Sequence, residues 1–484
     1  MKINHLLVKA VAVVAIVMLL GTALSQINTL AAERQGRFRE AVASVEQSLA
    51  GRQAVLGPAL ITSCTEEWTT EVQEGKVRKT VPEKREFTLI SAPRQLSVKA
   101  SAAMEPRYRG LFKVNTYAAH ASLTGQWSSL NALRPQREHT GSKLNCAAPT
   151  VLVAVSDARG IRQAQVKVNG DALSVVSGTQ HPSYPRGFHA DMARAPADLD
   201  APLTVDVMLD LAGTAQLSVA PVADDTQMSL SSDWPHPSFG GSFLPATRQV
   251  RDNGFEASWR LSSLATTAVA DFLHGVPLCA SSGNDSADDD APYSRAAAAA
   301  VAARDGKQPA GCTETFSVAF IDPVNPYSLS DRAIKYGLLF IGLTFLAVGM
   351  VEVMRRLRVH PIQYLLVGSA ISIFFLLLLS LSEHLSFDVS YAVAASACVL
   401  LLSFYGRYLL DGWRQGLAFG AGIGLLYGAL YALLQMEQTA LVIGSVLLFA
   451  VLAGVMVLTR RVDWYGLLQT PAGSAPPAAP QSAA

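Results

Sequence analysis

The chain has 484 residues, of which 50% are hydrophobic and only 16% are charged, and its formal net charge is +1. An average soluble protein is roughly 25% charged, so lipid is predicted to solvate part of this chain. No stripe of Lys and Arg interleaved with aromatic residues is present, which excludes a typical nucleic-acid-binding protein.

Six segments have, or nearly have, the roughly 20 apolar residues that a membrane helix needs. They are residues 6–24, 336–354, 362–381, 389–405, 417–434 and 439–458. The sequence therefore predicts a polytopic α-helical membrane protein with six transmembrane helices. Its expected parts are an N-terminal anchor (residues 1–30), a large domain (31–331), a five-helix bundle (332–465) and a tail (466–484).

The positions of Lys and Arg predict the orientation, because positive residues close to membrane helices stay on the cytoplasmic side. The clusters on one side are Lys2 and Lys9, Arg355, Arg356 and Arg358, Arg407 and Arg414, and Arg460 and Arg461. The opposite turns, residues 382–388 and 435–438, contain no Lys or Arg. Both termini are thus expected in the cytoplasm and the large domain in the periplasm.

The first apolar segment is also compatible with a cleaved signal peptide. Its most apolar part is short, and Thr29 to Ala31 offers small residues for cleavage. The orientation of everything downstream is the same under both interpretations.

Helical periodicity after the first segment predicts an amphipathic helix over residues 33–56, with Phe38, Val42 and Val45 on one face and Gly57-Pro58 as its end. From residue 59 to 322 the pattern changes to short alternating or β-branched runs. They are residues 87–91, 113–117, 151–155, 165–168, 203–211, 216–220, 256–261 and 316–321. With a hairpin turn at Asn169-Gly170, they predict a large, mainly β, antiparallel sandwich-like domain.

Two segments do not have the pattern of a packed fold. Residues 280–311 combine three consecutive aspartates with an alanine run, and residues 466–484 are rich in Pro, Ala and Ser. Both are expected to be disordered.

Four of the five cysteines lie in the large domain, where an oxidising compartment favours disulfides. Four cysteines allow three pairings. We favour Cys64 with Cys146 and Cys279 with Cys312, because the second bond would close the base of the acidic insertion. Four reduced, buried thiols are the alternative.

Five ionisable residues near the ends of the membrane helices are functional candidates, since burying a charge in lipid is costly. They are Glu352, His360, Glu383, His384 and Glu437. Glu383, His384 and Glu437 could together hold zinc at the outer face. The alternative is that all five anchor helix ends and pair locally. HExxH, GxSxG and Walker A motifs are absent, so no catalytic residue and no cofactor is predicted.

Residues 231–245 are dense in Pro, Gly and aromatic residues, and the prolines forbid a central strand. One interpretation is a rigid recognition loop that displays Trp234, His236 and Phe239 to a partner. The other is a structural crossover whose aromatic side chains pack onto the sandwich.

Several of these segments resemble the CreD family of bacterial inner-membrane proteins. The resemblance runs from about residue 57 to 465 and rests on residues 231–245, 254–259 (GFEASW), 332–337 (RAIKYG), 360–368 (HPIQYLLVG), 376–384 (LLLLSLSEH) and 463–465 (DWY). It implies a non-enzymatic inner-membrane protein of Gram-negative bacteria, expressed under a two-component system. The family contributes to envelope integrity and to tolerance of colicins or β-lactams. It supplies no catalytic residues, and the 280–311 insertion departs from its pattern.

Three functions are therefore considered. The first is an envelope-maintenance protein whose outer domain contacts an unknown periplasmic or cell-wall partner while the helices lie in the bilayer. The second is a membrane sensor or scaffold that transmits a periplasmic signal. The third is a membrane hydrolase or transporter.

Overall fold

A computed structural model describes residues 5–74, 77–192, 198–280, 311–320, 322, 326–355, 359–409, 412–435 and 440–460. The chain divides into two compact units. The helical unit consists of Met1–Arg37 and Val324–Ala484, and the β unit is Phe38–Pro323. Glu437, the tail and nearly all of the 280–311 insertion lie outside the described residues.

Strands make up most of the described β unit. They are β1 (Gln53–Glu74), β2 (Val77–Ser91), β3 (Gln95–Met104), β4 (Arg107–Arg109), β5 (Phe112–Val114), β6 (Thr116–Trp127), β7 (Lys143–Cys146), β8 (Thr150–Val155), β9 (Ile161–Val168), β10 (Asp171–Leu173), β11 (Val175–Ser177), β12 (Gly187–Asp191), β13 (Leu203–Thr214), β14 (Gln216–Val219), β15 (Asp225–Ser232), β16 (Pro237–Gly241), β17 (Thr247–Arg251), β18 (Gly254–Ser262) and β19 (Phe316–Phe320).

The strands form two large sheets. One has the order β11-β12-β8-β1-β14-β19-β16, with β2 and β7 also paired to β1, and the other has the order β10-β9-β13-β6-β3-β15-β18-β17. Side chains from both sheets meet in one apolar core, for example Leu60 and Leu152 from the first sheet with Leu123 and Val207 from the second. The mainly β prediction is confirmed. The antiparallel prediction is wrong in part, because β1 pairs with β14 and β3 with β15 in parallel.

The predicted amphipathic helix ends earlier than expected. The helix stops at Ser48, and Gln53–Leu56 already belong to strand β1. Gly57-Pro58 lies within that strand, where the pairing with β8 shifts register between Leu56 and Ala59. Gly57 has a φ of 112°, and a Cβ there would lie 2.9 Å from the Leu152 carbonyl oxygen. The Gly-Pro pair therefore forms a bulge in a central strand and does not end a helix.

The Asn169-Gly170 hairpin is present, with both residues at positive φ between β9 and β10. Each of the eight predicted β segments overlaps an observed strand. The strands that were not predicted include β3 and β15, whose outward positions are mostly small Ser and Ala residues. Such residues give little contrast between the two faces of a strand, so the alternation is hard to recognise.

The described helices are α1 (His5–Ser48), α2 (Ala268–Leu273), α3 (Pro326–Lys335), α4 (Gly337–Arg355), α5 (Pro361–Leu381), α6 (Phe387–Leu409), α7 (Trp413–Gln435) and α8 (Ala440–Thr459). Within the described residues, four helices are long and apolar enough to cross a membrane, or five if the α3–α4 pair, bent by 41°, is one span. The four are α1, α5, α6 and α7. This number is smaller than the six predicted from the sequence.

Candidate functional site

The predicted recognition segment, residues 231–245, places its tryptophan inside the protein. Trp234 is only 8% exposed and belongs to the apolar core of the β unit. Its Nε1–H donates to the His236 carbonyl oxygen over 2.8 Å. The hypothesis of a displayed Trp234 is therefore wrong, because the side chain that would bind a partner is already packed and hydrogen-bonded.

The other two residues proposed in this segment, His236 and Phe239, differ in solvent exposure. Phe239 is half-buried, with its ring 5.6 Å from that of Phe255 and 6.0 Å from that of Trp259. His236 is exposed. Residues 237–241 form β16, an edge strand of the first sheet, which agrees with the expectation that the prolines forbid a central strand. Most of the segment thus has a structural role.

A polar groove crosses the outer face of the second sheet, and sequence reasoning did not identify it. One part has a volume of about 540 Å³ and is lined by Lys99, His120, Gln249, Glu256 and several serines. A second part, of about 390 Å³, continues it and shares Gln249 and Glu256. We call both parts together the sheet groove. The available signal was the alternation of β3, whose Lys99 and Ser101 are exposed while Val98 and Ala102 are buried.

Charge is present at both margins of the sheet groove. Lys99 is an exposed side chain on β3, and Glu256 is exposed on β18. His120 Nδ1 lies 2.7 Å from Asp210 Oδ1. Hydroxyl groups lie between these charges, so the surface offers hydrogen-bond donors and acceptors together with both signs of charge. Such a surface suits a polar partner and not an apolar one.

A buried carboxylate on strand β1 holds a neighbouring loop, residues 138–142. Glu66 is 0% exposed, and its Oε1 accepts hydrogen bonds from Ser142 Oγ at 2.5 Å, Glu138 N at 3.0 Å and His139 N at 3.1 Å. The Ser142 hydrogen bond lowers the pKa of Glu66, burial opposes it, and the His139 amide and Arg85 lower it further. This carboxylate has its partners and stabilises residues 138–142, so we assign it a structural role.

Both favoured cysteine pairs are joined in the structure. Cys64 and Cys146 are bonded across adjacent strands, and Cys279 and Cys312 are bonded on either side of the insertion. Their Cα–Cα distances are 4.0 and 5.5 Å. Cys398 is a buried free thiol.

Polar residues in the helical unit form a network at one end of the bundle. The Lys9 ammonium pairs with Glu352 Oε1 and donates to the Val359 carbonyl oxygen over 2.6 Å. Tyr364 OH donates to Glu352 Oε2 over 2.9 Å. This network connects α1 with α4 and α5. Glu352 is thus locally paired.

His360 caps the helix that begins beside this network. Its side chain accepts from Ile362 N, and Gln363 Oε1 accepts from His360 N. The reciprocal pair is a capping box, with His360 taking the place of the usual Ser or Thr. His360 therefore satisfies a backbone N–H group at the N-terminal end of α5.

At the opposite end of the bundle, Arg34 Nε lies 3.3 Å from Glu383 Oε1. His384 is exposed. Within the part of the chain that the structure describes, no group of three His, Cys, Asp or Glu residues is arranged to hold a metal ion. The zinc hypothesis also requires Glu437, which lies outside the described residues.

The sequence matches one known protein family along nearly its whole length. A family model described as "Inner membrane protein CreD" matches residues 5–465. A curated relative, the inner membrane protein CreD of Escherichia coli (strain K12), is 32% identical over 455 residues, which cover 93% of this chain and 91% of that protein.

Solved structures give much weaker matches. Two crystal structures of an M1 zinc metallopeptidase from Deinococcus radiodurans align with 35% of this chain and 38% of theirs. Their identities are 11% and 10%, and their TM-scores are 0.19 and 0.17. Similarity at this level carries no argument about activity.

Proposed function

Because the chain belongs to the CreD family of inner membrane proteins, we propose that it is a non-enzymatic protein that supports the integrity of the bacterial cell envelope. In this proposal six helices cross the inner membrane, both termini lie in the cytoplasm and the β unit lies in the periplasm. The β unit contacts a polar partner there. The expected consequence is tolerance of envelope stress such as colicins or β-lactams, with expression under a two-component system.

The ion pairs of α1 are the observation that carries the membrane arrangement. Lys9 and Arg34 are 25 residues apart on one helix, which corresponds to roughly 37 Å at 1.5 Å per residue. The hydrocarbon core is about 30 Å thick. The Lys9–Glu352 and Arg34–Glu383 pairs therefore suit the two ends of a single crossing, and the β unit follows the Arg34 end.

The remaining crossings in the proposal are the α3–α4 pair, α5, α6, α7 and α8. Helix α8 has 20 residues, which span roughly 30 Å. Short connections join α5 to α6 and α6 to α7, as expected for neighbouring antiparallel spans. The arrangement agrees with every Lys and Arg cluster in the sequence.

The sheet groove is the surface that we propose for the partner, in place of Trp234. It is exposed, polar and larger than a single side-chain pocket. Conversely, Glu352 and Glu383 at the helix ends are engaged in local pairs, which supports an anchoring role for the bundle.

A charge reversal tests this assignment. Lys99→Glu changes the groove, whereas Lys167→Glu changes another exposed lysine on the same face of the same sheet. In a deletion strain, we expect Lys99→Glu to accumulate normally and to fail in complementing an envelope-stress phenotype, while Lys167→Glu complements. Full complementation by both variants would remove the sheet groove as the partner surface.

A membrane sensor or scaffold is the second candidate, since the single helix α1 contains residues of both units. A sensor needs a cytoplasmic output. Deletion of residues 466–484 would abolish complementation by a sensor that signals through this segment, whereas an envelope-maintenance protein would tolerate the same deletion.

A further inference from the structure

Helices α6 and α7 leave a groove between them on the outside of the helical unit. It has a volume of about 430 Å³. Small residues line much of it, including Ala392 and Ala395 on α6 and Gly424 and Gly428 on α7. Ala392 and Gly428 are exposed, so the groove opens away from the packed interior. We call it the helix groove.

The length of the helix groove matches one leaflet of a bilayer. Its lining on α6 extends from Asp388 to Val399, a separation of eleven positions that corresponds to roughly 16 Å along the helix axis. Half of a hydrocarbon core of about 30 Å is about 15 Å. An extended acyl chain of one leaflet would therefore fit along it.

One end of the helix groove is acidic. Asp388 is exposed, and its Oδ1 accepts hydrogen bonds from Tyr431 OH and Gln435 Nε2, both at 3.0 Å. No described residue hydrogen-bonds to Oδ2. Two cations near this end of the bundle are already paired, Arg34 with Glu383 and Lys335 with Asp331. The carboxylate of Asp388 thus keeps one oxygen available for an external donor.

We propose that the helix groove binds a phospholipid whose headgroup carries a primary ammonium, that is, a phosphatidylethanolamine. The acyl chain lies over the Ala and Gly residues, and the ammonium donates to Asp388 Oδ2. An anionic headgroup would be repelled by the carboxylate. A quaternary ammonium has no N–H to donate, so it would gain the charge attraction without the hydrogen bond. The proposal rests on the membrane position of α6 and α7 proposed above, and it does not depend on the sheet groove.

Native mass spectrometry of the purified full-length chain tests the proposal with three lipids of identical palmitoyl and oleoyl chains. The headgroups are ethanolamine, choline and glycerol. We expect the ethanolamine lipid to be retained roughly tenfold better than the other two, as one charge-assisted hydrogen bond allows. Asp388→Asn should abolish the preference, while its side-chain oxygen still accepts from Tyr431 and Gln435.

Two matched substitutions distinguish lipid binding in the helix groove from general contact between lipid and the helices. Ala392→Leu fills the groove and should lower retention of all three lipids. Ala397→Leu alters another exposed alanine of the same helix, outside the groove, and should leave retention unchanged. An unchanged thermal unfolding profile for each variant verifies its fold.

Three results would overturn the proposal. Equal retention of the three lipids by the wild-type chain is the first, and a preference that survives Asp388→Asn is the second. The third is a dimer in the spectrum that Ala392→Leu dissociates, which would assign the helix groove to a second copy of the chain.

Discussion

At the scale of single residues, the tryptophan of residues 231–245 is buried, whereas polar side chains of the sheet groove are exposed. Trp234 donates its indole N–H to the backbone and packs in the core, whereas Lys99 and Gln249 lie open on the sheet. Aromatic residues near prolines are typical both of interfaces and of packed crossovers, because a large rigid ring buries much apolar surface in either environment. Solvent exposure distinguishes the two, and only the folded structure determines it.

The first prediction concerns Trp234. Replacement by Ala removes a large buried side chain and should cost about 3–5 kcal/mol of unfolding free energy. The protein should then accumulate poorly and unfold at a lower temperature. His236→Ala is the control, since it changes an exposed side chain of the same segment and should shift stability by about 0.5 kcal/mol or less. A well-expressed Trp234→Ala protein with the wild-type Tm would contradict the core assignment.

The second prediction concerns Glu66, whose pKa is lowered mainly by its hydrogen bond from Ser142. A carboxyl with a lowered folded-state pKa stabilises the folded protein above the unfolded-state pKa, and this contribution is lost as the pH falls through the folded-state pKa. We expect Glu66→Gln to lower the Tm at pH 7 by several degrees. The Tm of this variant should also fall less steeply than that of the wild type below about pH 4.

Glu67→Gln provides the comparison for this measurement, because Glu67 is the exposed neighbour on the same strand. It should leave both the Tm and its dependence on pH close to the wild type. Parallel curves for Glu66→Gln and the wild type would show that the buried carboxylate is not the cause.

At the scale of elements, cross-links and ion pairs hold segments that are distant in the sequence. The Cys279–Cys312 bond joins residues that are 33 positions apart in the sequence, and the Cys64–Cys146 bond joins residues that are 82 positions apart. The chain-entropy model assigns about 4 kcal/mol to loops of these lengths. Helix α1 contacts the bundle through Leu20, which is 3% exposed, and through its ion pairs.

The third prediction is that Cys279 and Cys312 are bonded in the cell. Peptide mapping without reductant, on protein alkylated before lysis, should recover the two cysteines as one linked pair. Cys398, a free thiol, serves as the internal control for alkylation after denaturation. Recovery of Cys279 or Cys312 as a single alkylated peptide would disprove the bond.

The fourth prediction is that α1 remains part of the mature protein. A Cβ at position 368 would lie 2.2 Å from Leu20 Cδ1 and 2.9 Å from Phe345 Cζ, so Gly368→Val should lower accumulation. Leu20→Ala in the same chain should restore part of it. Gly342→Val, where a Cβ meets nothing within 4 Å, should have little effect.

Mass spectrometry of the intact protein provides the direct measurement for α1. A mass that includes the N-terminal residues agrees with the contacts of Leu20 and Lys9. A mature chain that begins near residue 32 would show a cleaved signal peptide instead.

At the scale of the whole molecule, the fifth prediction concerns membrane topology. Reporter fusions after Arg358 and Arg460 should give cytoplasmic signals, and fusions at Gly170 and Glu437 should give periplasmic ones, because the Lys and Arg clusters alternate in that order. A fusion after Lys2 is a cytoplasmic control. A periplasmic signal after Arg358 would overturn the arrangement of six spans.

The sequence by itself determined the family, the mainly β character of the large unit and the position of its apolar helices. These properties depend on composition and on local periodicity, which each segment carries independently of its neighbours. The predictions from the sequence were least accurate for the end of the first helix and for the strands β3 and β15. Their small side chains and the Gly57-Pro58 bulge carry weak or ambiguous local signals.

The tertiary structure alone decided which side chains are accessible and which distant groups meet. The parallel pairing of β1 with β14, the burial of Trp234, the Lys9–Glu352 pair and both grooves depend on residues far apart in the chain. Such contacts form only when the sheets and helices pack, because the free energy of each contact depends on both of the surfaces that meet. The alternation of β3 marks one wall of the sheet groove, but no local pattern could have shown which distant residues complete these contacts.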